Sequence, residues 1–126
     1  MRPETLAEVA RHTLGGVSFD LSLADFLDGF YSVPSEDALS LPPGLLAPER
    51  GETGRVQDAY IAAVAEQLAC ENGFAIPSWV GAEERKLHKP WFASPLVALR
   101  AVLIHESPPV FRARNIFVSA NALERA

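Results

Sequence analysis

Leu6, Val9, Ala10 and Leu14 recur three and four residues apart. That spacing places them on one face of a helix. Pro3 and Glu4 suit a first turn and Gly15-Gly16 suits a stop, so the pattern predicts a helix over Pro3–Leu14. The stretch VSFDLSL, from Val17 to Leu23, alternates apolar and polar residues, which is the period of a strand. No partner strand follows nearby, and a lone strand has nothing to pair with. The segment is therefore read as the approach to a second helix, capped by Asp20 or Ser22. Leu23, Phe26, Leu27 and Phe30 form its apolar face, Tyr31 extends that face, and Pro34 ends the helix.

Ser35 opens a short helix at most. From Pro42 to Gly54 the chain reads PPGLLAPERGETG, with three prolines and three glycines, so a loop is predicted there and named the most mobile segment. A long helix follows, from Gly54 or Arg55 to Asn72, with Tyr60, Ile61, Val64, Ala65 and Leu68 as its stripe. Asn72-Gly73 stops it. An extended connector should lay Phe74, Ile76 and Trp79 over the core. A short helix is expected across Ala82–Leu87, after which Pro90 breaks the chain and Trp91 and Phe92 turn inward.

Ser94-Pro95 reads as an N-cap followed by a first-turn proline. The helix it begins, LVALRAVLI, is apolar on every side except at Arg100, the pattern of a helix buried all round. Pro108-Pro109 ends it. A short helix near Pro109–Arg114, a turn at Asn115 and a last helix capped by Ser119 complete the chain. The expected fold is all-α: a single domain over residues 1–126, with five to seven helices around one buried central helix at about 95–106 and a docked C-terminal helical tail. Phe111, Ile116, Phe117 and Leu123 should clasp that central helix.

Composition narrows the class. A chain of 126 residues suits one domain, and at that size roughly two thirds of the unfolded surface is buried. The net charge of −5 weighs against a general nucleic-acid binder, whose grip rests on clustered Lys and Arg. The single cysteine, Cys70, cannot form an internal disulfide and is read as a small buried hydrophobe. The N-terminus lacks a signal peptide's apolar core, and the run from Pro95 to Ile104 is too short to span a bilayer. The expected location is the cytoplasm.

The search for chemistry returns little. His12, His88 and His105 have no ligand spacing, and no phosphate cradle or nucleophile elbow is present. No catalytic residue, metal or cofactor is therefore expected. Arg100 stands among Leu96, Val97, Leu103 and Ile104, so it must either reach out to solvent or meet a carboxylate from Asp25, Asp28, Glu71 or Glu106. His105 suits the end of its helix as a cation near the dipole's negative pole. Arg112 and Arg114 diverge by about two thirds of a turn if helical, so they form no single basic stripe.

The run PWFASPLVALRAVLIHESPPVFRARNIFVSANALERA, together with LADFLDGFY and QDAYIAAVAEQLA, resembles a group of small bacterial helical proteins. That group shares an "FRxRNxFVSANALxRA" ending, and the likeness covers nearly the whole chain. Its members stand alone or follow a helix-turn-helix domain, some beside nucleotidyltransferase-type toxins. The resemblance implies a non-enzymatic, antitoxin-like interaction protein, with a protein partner such as an adjacent gene's product. Ala113 departs from the pattern where arginine is common, and no helix-turn-helix segment is found here. The residues expected to meet a partner are Trp91, Arg100, Arg112, Arg114 and Asn115. A homo-oligomer stays open. Two alternatives stand beside this reading: a nucleic-acid module using Lys89, Arg112 and Arg114, and an enzyme with a site around Arg100, His105, Glu106 and Arg112.

Overall fold

A computed structural model describes residues 2–125, and they form the expected all-α fold. Six helices carry it: α1 (Leu6–Leu14), α2 (Phe19–Ser32), α3 (Asp37–Ser40), α4 (Ala47–Asn72), α5 (Arg100–Glu106) and α6 (Pro109–Arg112). Two strands of two residues each, β1 (Trp91–Phe92) and β2 (Ile116–Phe117), pair in parallel, Trp91 with Ile116 and Phe92 with Phe117.

The first half follows its periodicity closely. Thr5 caps α1, its Oγ1 accepting from the Glu8 amide, so the helix begins after Pro3 and Glu4 rather than on them. Ser18 caps α2 by accepting from the Leu21 amide, two residues before Asp20 and four before Ser22. Phe19, Leu23, Phe26, Leu27 and Phe30 are buried along α2, and the helix ends before Pro34. Tyr31 is exposed rather than part of that face. Its hydroxyl donates to the Leu123 carbonyl at 2.8 Å, which ties the tail to α2.

The segment 42–54 is the expected loop only as far as Leu46. Ala47–Arg50 already form a helical turn, and α4 continues from it through a sharp break at Gly51 (φ 61°, ψ −137°), a backbone conformation that only glycine adopts freely. The turn is held by Asp58, whose carboxylate accepts from the Leu46 amide at 2.7 Å and the Ala47 amide at 3.1 Å. Gly54 lets the turn fold back onto the helix: a Cβ there would stand 2.5 Å from the Leu46 carbonyl oxygen. A hydrophobic anchor completes the brace, since Leu46 is wholly buried.

The second half departs further from expectation. The centre of the fold is α4, on which Ile61, Val64, Ala65 and Leu68 are fully buried. The segment read as the buried central helix lies at the surface: Val97–Leu99 form a single 3₁₀ turn, α5 has only seven residues, and among them only Leu103 is buried. The tail does dock, against both α4 and α5. Phe111, Ile116 and Val118 are buried in the main core. Ile116 and Phe117 are strand rather than turn or helix, and Ser119 caps no helix. The Ser119 hydroxyl instead bonds Asn121 Oδ1. Ser107, buried at the end of α5, donates to the Ile116 carbonyl and accepts from the Val118 amide, which fixes the strand.

Two smaller expectations also fail. Ile76 is exposed, whereas Phe74 and Trp79 do pack on the core. Cys70 falls on the outer side of α4 and is exposed rather than buried. Among the described residues, no helix is long and apolar enough to cross a membrane.

The brace around Asp58 generates a test. Asp58→Ala leaves the buried Leu46 amide and the half-buried Ala47 amide without their acceptor and the buried Arg85 guanidinium without its counter-charge, so the loss of stability should be about 3–5 kcal/mol. Urea denaturation of the two proteins measures it; a change near zero would mean that the brace contributes little.

Candidate functional site

Of the five residues expected to face a partner, two serve the fold. Arg114 is buried, and its guanidinium donates to Glu66 Oε1 at 2.8 Å and to the carbonyls of Val80 and Val110. It joins the tail to α4 and to the turn at Ser78–Gly81. Asn115 adopts a left-handed conformation (φ 63°), which asparagine tolerates better than most residues, and its side chain donates to the Leu87 carbonyl. Arg112 is exposed. Arg100 is also exposed, so of its two expected solutions it takes the way out to solvent rather than an ion pair; its guanidinium lies over the Phe92 ring at 5.1 Å. Trp91 lines a cleft described below.

The alternatives fare as follows. Among the described residues, no hydrogen bond or ion pair joins any two of Arg100, His105, Glu106 and Arg112. Of the nucleic-acid trio, Arg114 is committed to Glu66, so Lys89 and Arg112 are the exposed pair.

A buried cation that the sequence reading missed is Arg85. It lies in EERK, which looks like a solvated charged patch, yet it is almost fully buried. It donates to the carbonyls of Asp58 and Pro43, stands 3.9 Å from the Asp58 carboxylate, and lies against the Trp79 ring at 5.0 Å. Burial pushes the Arg85 guanidinium down and the Asp58 carboxyl up from their ordinary values; the two backbone amides and the opposite charge pull against that. The signal for it lay in Asp58, an acid in phase with Ile61, Ala62 and Ala65 on the buried face of α4. An acid there needs a partner.

Two surface features remain once these structural roles are assigned. The first is the segment around α5. Leu96 is 60% exposed, Val97 70%, and Val102 and Ile104 47% each. These four large apolar side chains lie within nine residues of one another along the chain. The second is a cleft of about 630 Å³ between the start of α2, the first half of α4 and the β1–β2 tail. Phe19, Tyr60 and Trp91 supply its aromatic lining, and Asp20 and Glu52 its carboxylates. Phe19 meets Tyr60 edge to face at 6.2 Å, and Tyr60 meets the buried Phe111 at 5.1 Å, so the lining is continuous with the core.

The Tyr60 phenol is pushed up to about 12, first by burial and then by the charge of Asp20. Tyr31, 39% exposed, is also raised, mainly by the burial of the remainder of its side chain. The chain matches no family model, no curated protein and no solved structure.

The tyrosines give a pH prediction. A phenol whose folded value lies above its unfolded value favours the folded state below about pH 10, and that contribution is lost as pH rises toward 12. Absorbance at 295 nm should therefore show neither tyrosine ionising at the usual pH in the folded protein, and Tyr60→Phe should lessen the loss of stability between pH 10 and 12. A normal titration of both phenols would contradict the burial of Tyr60.

Proposed function

We infer that the protein is a non-enzymatic interaction module whose contact surface is centred on the segment from Leu96 to Ile104. One observation carries this reading: a stretch apolar enough to be a protein's central helix lies outside its own core. Apolar side chains are driven out of water wherever cover exists, and here the fold covers only Leu103. Interfaces are where such patches are found.

The geometry favours one kind of partner. Val102 and Ile104 are two residues apart and so point about 160° from each other round the helix axis. Both are exposed to the same degree. A flat face, such as a second copy packing α5 against α5, covers one of them and leaves the other in water. A different protein with an apolar groove covers both, in the manner of a helix seated in a groove. Arg100 and Glu106, at the two ends of the helix, would lie at the polar rim.

The finer version is that suggested by the sequence resemblance: an antitoxin-like partner of a nucleotidyltransferase-type toxin, acting in the cytoplasm. The net charge of −5 suits a partner that handles nucleic acid and is itself basic.

The reading is tested by co-expressing the protein with the product of the neighbouring gene and sizing the mixture. A single co-eluting complex is expected. Val102→Asp with Ile104→Asp should abolish it and, because both positions are exposed, shift the stability of the free protein by only about 0.5 kcal/mol. Separate elution of the two wild-type proteins, or a homodimer dissolved by the same substitutions, would contradict the proposal.

A further inference from the structure

We propose that the cleft between α2, α4 and the β1–β2 tail binds a small organic cation, an ammonium or guanidinium carried on an apolar body. The argument starts from its lining. Its volume of about 630 Å³ lies within the range of small-molecule sites, and three elements distant in sequence converge to make it. Phe19, Val56, Tyr60 and Trp91 give it apolar and aromatic surface. Such rings attract a cation through their negative faces.

The charge of the lining has one sign. Asp20 comes from the first turn of α2 and Glu52 from α4 just past the break at Gly51. No lysine, arginine or histidine lines the cleft, and no described ion pair engages either carboxylate. The α2 N-terminus contributes roughly half a positive charge, which the two full negative charges outweigh. An anion would therefore be repelled here and a cation drawn in.

The remaining polar groups agree. Tyr60 stays protonated at neutral pH, so its hydroxyl oxygen is a neutral acceptor for an N–H. Gln57, Thr53 and Ser119 add hydrogen-bonding capacity without adding positive charge. The Gln57 Oε1 atom is buried and has no partner among the described residues. A buried acceptor left unpaired is costly, and that cost falls when a donor arrives. The apolar part of the ligand is set by the aromatic lining, and its charged end by the two carboxylates.

This site is separate from the α5 surface, so the two proposals stand or fall independently. The test uses the full chain and 2-phenylethylammonium as probe, followed by calorimetry and amide chemical shifts. Saturable binding is expected, with shifts at Phe19, Tyr60, Trp91 and Ser119. The affinity should fall about tenfold or more in Asp20→Asn/Glu52→Gln and should weaken with added salt. Should the double variant lose its fold, Glu52→Gln alone reads the same point, since Glu52 is exposed. The neutral analogue 2-phenylethanol should bind more weakly than the amine. Absence of saturation, equal binding of the alcohol, or an unchanged affinity in the variants would overturn the proposal. So would binding of a lysine-bearing peptide with no binding of the free amine, because the cleft would then receive a protein side chain.

Discussion

A carboxylate leaves water only when other groups take over its hydration, and Asp58, 1% exposed in the middle of the buried face of α4, imposes that demand on everything around it. Its two oxygens take the amides of Leu46 and Ala47, which turns the proline- and glycine-rich approach into an ordered helical start. Its charge faces Arg85, whose guanidinium also gathers the carbonyls of Asp58 and Pro43. Segments 12 and 27 residues away in sequence are thereby fixed to one point on one helix.

A second cation repeats the device one level along. Arg114 reaches Glu66, two turns beyond Asp58 on α4, and holds the tail in place together with the Val80 carbonyl. With α4 braced at both points, α1 and α2 cover one side of it, and α6 and β2 another. The connection between β1 and β2 is then forced outward. A parallel pair needs a crossover, and α5 and α6 are that crossover. The exposure of α5 follows from this topology: Leu103 and Ser107 anchor it, Arg100 lies over Phe92, and its other side chains are exposed.

The legible part of the sequence was the part where period and burial agree. Helices α1, α2 and α4 announce themselves by spacing, because each buries one face against the same core. The run LVALRAVLI predicts one buried central helix, but Leu96 is extended, Val97–Leu99 form a 3₁₀ turn, only the part from Arg100 on is α-helix and the whole lies at the surface, because apolarity reports the need for cover and not which chain supplies it. Strands of two residues carry no period that a sequence can display. The ordered turn at 47–50 was hidden because its cause, Asp58, lies on the next part of the helix. The aromatic cleft is only half visible in the sequence: Trp91 stands out, while Asp20 reads as a helix cap and Glu52 as part of a loop.

The account rests on the claim that the chain is braced on α4 through Asp58 and leaves α5 outside. Hydrogen exchange of the free protein, residue by residue, tests it most directly. The amides of Leu46 and Ala47, bonded to Asp58, should exchange nearly as slowly as those of Ile61–Leu68, and those of α5 should exchange orders of magnitude faster through local opening. Fast exchange at Leu46 and Ala47, or protection of α5 equal to that of α4, would contradict it.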